Sequence, residues 1–331
     1  MVKFLYESLS DETRSCVLLN KRVTDLEVQE DGVKVSCDDG SVYEGAIVIG
    51  ADGVRSRVRL LSRAIEAGKR PEDLPRDVQN PHTVTYKLCF GSVPILPGLD
   101  SNRRYDAVSD GFCGQMITGT DRAWFGLYEK LDEPTSEHTR YTEADRTAIL
   151  ERRGHFYLAP GWTAKDVHAH KIGDTGMIDI EEGLTDRWFS DRVVLVGDAV
   201  RKLEPHAGLG YNCGVTDLVV LVNGLRTLLQ DGRNPSTGDL ESVFRAYQDA
   251  CMPTTEKMSE FSERSVRSLA WLTWKDRLMA KYVLPYVPIS RYMLNNTVAP
   301  LVSESPVLEW LEEKALPHAA VPWKCHPLSP E

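Results

Sequence analysis

Asp198 stands directly after the run Arg192-Val193-Val194-Leu195-Val196, and Pro205-His206-Ala207-Gly208-Leu209-Gly210-Tyr211-Asn212 follows as a glycine-rich turn. Val215, Leu218, Val219, Val222, Leu225 and Leu229 then recur at helical spacing and form one apolar face. The β-branched run has the composition of a fully buried parallel strand. Strand, acid, glycine turn and helix, in that order, can hold a nucleotide. The acid at the strand's carboxyl end accepts from a ribose hydroxyl, the glycines let a ligand reach the backbone, and the free N–H groups of the helix N-terminus favour negative charge. Gly197-Asp198 alone would equally suit an ordinary βα unit. A second acid and glycine, Asp52-Gly53, end another apolar run and lead into Val54-Arg55-Ser56-Arg57-Val58-Arg59.

These residues need elements to carry them. Residues 1–15 read as the end of a helix and Val17 to Glu30 as a strand; Asp31-Gly32 is a hairpin turn, and Val33 to Ser36 alternate. Val42 to Ile49 reads as one returning strand that feeds Asp52, and Leu60 to Asn80 as a polar connection broken by Pro71 and Pro75. Val84, Tyr86, Leu88 and Phe90 alternate with polar or small residues, which predicts a one-sided antiparallel strand. Phe112 to Thr118 and Ala123 to Lys130 predict two more, with Tyr86, Phe112, Trp124 or Phe125, and Tyr128 as inward aromatics. Thr142 to Tyr157 is a helix, and His168 and His170 share one face of a short strand without a third ligand at useful spacing, so no metal centre is expected. Tyr211 to Leu229 is a helix, Leu240 to Met252 another, and the helical pattern continues from Pro253 to Lys281.

The totals narrow the function. A chain of 331 residues exceeds one ordinary core, so cooperating domains are expected. A net charge of −10 argues against nucleic acid as a partner. Seven cysteines without a C-x-x-C pair suit reduced thiols in a cytoplasmic protein. The stretch 282–303 carries one charge, Arg291, but Pro285, Pro288 and Pro300 interrupt it, leaving a peripheral membrane contact or a lid as its readings.

Gly197-Asp198-Ala199, Pro205, Gly208-x-Gly210-x-Asn212 and Asp217 together resemble the second FAD-binding motif of the class A flavoprotein monooxygenases, the para-hydroxybenzoate hydroxylase type. Val48 to Arg59 is similar to the Asp-Gly motif with which that family contacts FAD and NADPH. The resemblance implies an α/β fold in which a Rossmann-type FAD domain is split around an antiparallel β-sheet substrate domain and followed by C-terminal helices. The segments would be 1–80 and 181–235 for the FAD domain, 81–180 for the substrate domain, and 236–331 for the helices. It implies FAD reduced by NAD(P)H, with one atom of O₂ delivered to a hydrophobic aromatic or terpenoid secondary metabolite by hydroxylation or epoxidation. Gly197, Asp198, Ala199, Pro205, Gly208, Gly210 and Asn212 would hold the cofactor, with Asp52, Gly53 and Arg59 on its nucleotide side and Arg59 in a structural ion pair. No catalytic residue can be named from the sequence. The Val321-Pro322 ending is similar to that of the fungal branch that makes prenylated metabolites.

Two features depart from that family. The 331 residues contain no G-x-G-x-x-G turn of the family's first βαβ unit, and Val200-Arg201 stands where histidine is usual. Without a first strand, the runs at Val42 to Ile49 and Arg192 to Val196 would leave an apolar sheet edge open. Three readings follow: a longer protein, a second chain that covers the edge, or a scaffold that no longer binds flavin and serves as a non-redox cyclase, isomerase or binding protein.

Overall fold

The computed structural model describes residues 2–232, 234–283, 292, 294–312 and 321–326. Two short helices open the chain, α1 (Val2–Glu7) and α2 (Asp11–Ser15). A three-stranded antiparallel ribbon follows: β1 (Val23–Val28), β2 (Val33–Cys37) and β3 (Val42–Gly45). The run read as one strand over Val42 to Ile49 breaks at Ala46-Ile47, and its second half, β4 (Val48–Gly50), belongs to a different sheet. Gly50 has to be glycine there, since a Cβ would lie 2.6 Å from Leu195 Cδ2 and 2.9 Å from Val58 Cγ1.

Leu60 to Asn80 is not a bare connection. Its first third belongs to α3 (Arg57–Ala67), which buries Val58, Leu61 and Ala64, and α4 (Arg76–Gln79) follows. The chain then builds β5 (Thr83–Pro94), β6 (Arg104–Val108), β7 (Phe112–Thr118) and β8 (Arg122–Thr135). Thr142 caps α5 (Glu143–Arg153) through a reciprocal box with Asp145. After the β9 (Tyr157–Ala159) and β10 (Trp162–Thr163) pair, His168 lies in a helix, α6 (Ala164–Ala169), rather than in the strand expected. Thr163 and Asp166 form a capping box that sets this turn as helical.

Next come β11 (Gly176–Leu184), β12 (Phe189–Ser190), β13 (Val193–Leu195) and β14 (Arg201–Lys202). Helices α7 (Gly210–Leu229), α8 (Thr237–Leu269) and α9 (Trp274–Tyr282) complete the named elements. Helix α8 runs unbroken through Pro253, and the helical pattern stops at Leu269 and restarts at Trp274, with Trp271 at φ +48° between them. Of the stretch 282–303, residues 284–291 and 293 lie outside the described residues. No described helix is long and apolar enough to cross a membrane.

Two sheets organise the molecule. In the small one β13 pairs in parallel with β4, Val194 opposite Ile49, and antiparallel with β12. Strand β4 is its outer edge, and Ile49 is 40% exposed there. Val193 to Val196 pack into a core with Val58, Leu61, Leu221 and Phe244 from α3, α7 and α8. Arg192 is buried and donates to Glu30 O and Ala46 O, which ties the ribbon to this sheet.

The large sheet is antiparallel, in the order β14-β11-β5-β8-β7-β6. The expected aromatics do not share a face. Phe112 and Phe125 pack with Ile149 of α5 and Val167 of α6 on one side. Tyr86 and Tyr128 pack with Val266 of α8 on the other, and Trp124 is exposed. Strict alternation along the paired strands forces this split.

Candidate active site

The first acidic turn is built around Asp52. Its Oδ1 accepts from Ser56 Oγ at 2.5 Å, and its Oδ2 from Arg57 N at 2.7 Å and Val58 N at 3.1 Å. The carboxylate therefore closes the free N–H groups at the start of α3. Arg59, one turn further on, is buried and donates to Ala199 O at 2.6 Å and Val54 O at 2.8 Å. No carboxylate lies within ion-pair distance of it among the described residues, so the expected ion pair is replaced by a clamp on two carbonyls. Burial pulls the guanidinium down to about 10, against the pull of the Asp52 charge.

The second turn follows β13. Gly197 takes φ +64° and Gly208 φ +70°, the left-handed region open to glycine, and nothing lies within 4 Å of a Cβ placed on either. Gly197 N donates to Asp217 Oδ2 at 2.8 Å, which ties the turn to α7. The Asp198 carboxylate accepts from Lys202 Nζ at 2.5 Å and lies 3.9 Å from a Cβ placed on Gly210. Helix α7 begins with no side-chain cap at Leu209, so its first N–H groups have no side-chain acceptor from the cap residue. His82 stands beside this turn, buried, with Nε2 unpartnered; burial and the Arg59 charge hold its imidazole down to about 4.

Asp52, Gly53, Asp198 and Pro205 share one cavity of about 850 Å³. Its opposite wall is the sheet, with Leu88, Phe90, Met177, Ile178 and Ile180. Arg59 borders smaller adjoining hollows, and Asn212 lines a separate one between α7 and α8. Gly197, Ala199, Gly208 and Gly210 shape the turn without lining the main cavity. The uncapped helix start, the open glycines and the orphaned His82 nitrogen fit a flavin nucleotide lying along the two turns.

The cavity also holds a polar cluster that sequence reading missed. Asp179, with its side chain 1% exposed, accepts from Tyr141 Oη at 2.7 Å, Thr139 N at 2.7 Å and His138 Nδ1 at 2.9 Å. Burial and the Asp179 charge both push the Tyr141 phenol upward. Arg55 Nη2 lies 2.6 Å from His138 Nδ1 and 2.9 Å from Glu181 Oε1. One signal was present in the sequence: Asp179 interrupts the otherwise apolar Met177-Ile178-Ile180.

An α/β flavoprotein with an antiparallel substrate sheet is the class that this fold and cavity define. A family profile described as FAD binding domain matches residues 135–262. The FAD-dependent monooxygenase srdH of Neurospora crassa is 32% identical over 314 residues, covering 91% of this chain and 70% of that protein. The FAD-dependent monooxygenase dpasE of Apiospora sacchari is 27% identical over 323 residues, 95% of this chain and 66% of that one. Among solved structures, Klebsiella pneumoniae HpxO complexed with FAD and uric acid superposes with a TM-score of 0.69 at 22% identity, over 91% of this chain and 71% of that one. The chain belongs to the FAD-dependent monooxygenase family. It spans 66%, 61% and 70% of the length of dpasE, the Aspergillus fumigatus monooxygenase spyC and srdH.

Proposed function

We propose that this chain carries the flavin-facing and substrate-binding parts of a monooxygenase that uses FAD, NAD(P)H and O₂ to hydroxylate or epoxidise a hydrophobic aromatic or terpenoid metabolite. One observation carries the reading: Asp52 and Asp198, from two motifs far apart in sequence, line a single cavity whose far wall is an apolar sheet. Flavin, when bound, supplies the redox chemistry. The protein's own part is placement. Asp198 accepts a hydroxyl of the cofactor, the α7 N-terminus sets positive potential beside it, and Leu88, Phe90 and Ile178 exclude water from the substrate. Residues 1–80 and 181–235 act as the FAD-binding segments, 81–180 as the substrate domain and 236–331 as the C-terminal helical region. The open edge of β4, with Ile49 on it, is where another strand, from a second chain or elsewhere, would pair. The reading keeps a cytoplasmic protein with a peripheral membrane contact through 282–303.

Reconstitution with FAD tests it: the protein should quench flavin fluorescence on binding and support NADPH-dependent O₂ uptake. Asp198→Ala and Gly208→Ala should each weaken FAD retention about tenfold or more, the second because alanine is strained at positive φ. A wild-type protein that retains no more flavin than Asp198→Ala would overturn the reading. One observation favours the alternative of a scaffold working without flavin. Asp198 and Asp52 both already have internal partners, Lys202 and the start of α3. A colourless protein that converts substrate anaerobically would establish that alternative.

A further inference from the structure

We propose that the cavity between α7 and α8 binds a neutral aliphatic alcohol, with its hydroxyl on the buried pair Arg201 and Asp217. This cavity shares no lining residue with the one that holds Asp52 and Asp198, so the inference goes beyond the monooxygenase reading. It measures about 450 Å³, within the range of small-molecule sites. Helix α7 lines it with Val219 and Val220, α8 with Ala250 and Met258, and the short helix Ala299–Ser303 with Leu301. No aromatic ring lines it among the described residues, so an aliphatic body suits the wall better than a flat ring.

The polar feature is the floor. Arg201 and Asp217 are the most buried residues that line the cavity, whereas Asn212 and Val302 are exposed at its mouth. The pair is joined through Arg201 Nη2 and Asp217 Oδ2 alone, at 2.7 Å. Arg201 Nη1 and Asp217 Oδ1 are left buried without a hydrogen-bond partner. The neighbouring side chains do not fill these places. Tyr247 Oη donates to Leu195 O at 3.1 Å, and the thiols of Cys213 and Cys251 beside the pair are weak donors and acceptors.

An unmet donor next to an unmet acceptor defines the missing group. Nη1 only donates and the ionised Oδ1 only accepts. One group that satisfies both must accept and donate in turn, and a hydroxyl is the smallest that does. A carboxylate would accept from Arg201 but meet the Asp217 charge, and an ammonium would meet the charge of Arg201. An ether accepts and gives nothing back. The pair is neutral as a whole, so a neutral head brings no unbalanced charge into the interior. A single water could meet the same two atoms. A ligand lying over that water would bind alike whether its head is an alcohol or an ether.

Calorimetric titration of the chain with 1-octanol, its isomer 1-methoxyheptane and octanoate reads the difference, since the three differ chiefly at the head. 1-Octanol should bind about tenfold more tightly than either of the others. Thr254→Phe, which places a ring in the cavity, should weaken 1-octanol by at least the same factor. Leu301→Phe serves if that variant does not fold. In the double variant Arg201→Met with Asp217→Leu, the alcohol should lose its advantage over the ether. Equal wild-type affinity for alcohol and ether would leave the floor to water and overturn the inference. Tightest binding of octanoate, no binding of 1-octanol, or an alcohol affinity unchanged by both cavity-filling variants would overturn it as well. The titration needs no flavin, so its outcome is separate from that of the reconstitution.

Discussion

Asp217 and Arg201 meet at 2.7 Å in a place sealed from water, with side chains only 1% and 2% exposed. The same Asp217 oxygen accepts from Gly197 N, so one carboxylate fixes both the cation and the turn that presents Asp198. Arg201 stands where the family usually has histidine, and the structure explains the residue by this pair. Removing one partner strands the other charge, at about 3–5 kcal/mol. Arg201→Met and Asp217→Leu should each lower unfolding stability by that order in guanidinium titrations. The double substitution should lose less than either single one, since no charge is then left unpaired. Single variants that both unfold within about 1 kcal/mol of wild type would contradict the account.

Glu204 is fully buried beside His206, and burial, with the Glu182 charge, lifts its carboxyl to about 8. A raised carboxyl binds its proton more tightly folded than unfolded. Its stabilisation is complete below the ordinary glutamate range near 4.5 and drains away as pH rises to 8. His82 works the other way: held down to about 4, it contributes above 6.5 and loses that contribution as pH falls. The two slopes oppose each other below 6.5, and above it His82 no longer offsets Glu204. Urea unfolding of the wild type should lose up to about 2 kcal/mol between pH 6.5 and 8, at roughly 1.4 kcal/mol per unit. Glu204→Gln should flatten that window. Parallel curves for the two proteins would refute the assignment.

Asp52 serves α3 before it serves any ligand. Asp52→Ala removes the acceptor for Arg57 N and Val58 N, a loss of about 1–2 kcal/mol typical of helix caps. The thermal midpoint should fall by a few degrees. Asp52→Asn, which keeps one carbonyl acceptor, should fall by less. An unchanged midpoint in Asp52→Ala together with lost flavin would make Asp52 a ligand contact alone.

Local chemistry was legible in the sequence where a single turn decides it. Helix α7, the hairpin at Asp31-Gly32 and the glycines at 197 and 208 each depend on neighbours a few residues away. What the sequence concealed depends on partners far along the chain. His138 and Asp179 are 41 residues apart, and no periodicity marks the loop that carries His138. The break at Ala46-Ile47 was hidden because both residues there are apolar and only strand pairing separates the two halves of the run. The aromatics were expected on one face, but Phe112 and Phe125 lie on one side of the sheet and Tyr86 and Tyr128 on the other, a split that the pairing of β5, β7 and β8 decides. Arg59 was assigned an acidic partner because carbonyl acceptors carry no mark in a sequence.

The clamp from Arg59 to Ala199 spans 140 residues of chain. During synthesis the first acidic turn therefore leaves the ribosome long before the carbonyl that secures it exists. At ordinary elongation rates the interval is roughly 7–30 s. Through that time Val48 and Ile49 have no β13 to pair with, so this strand edge stays open on the nascent chain. Protease protection of ribosome-stalled chains should reach this strand only once residue 199 has cleared the exit tunnel, so the cofactor-facing turn is made early and secured 140 residues later.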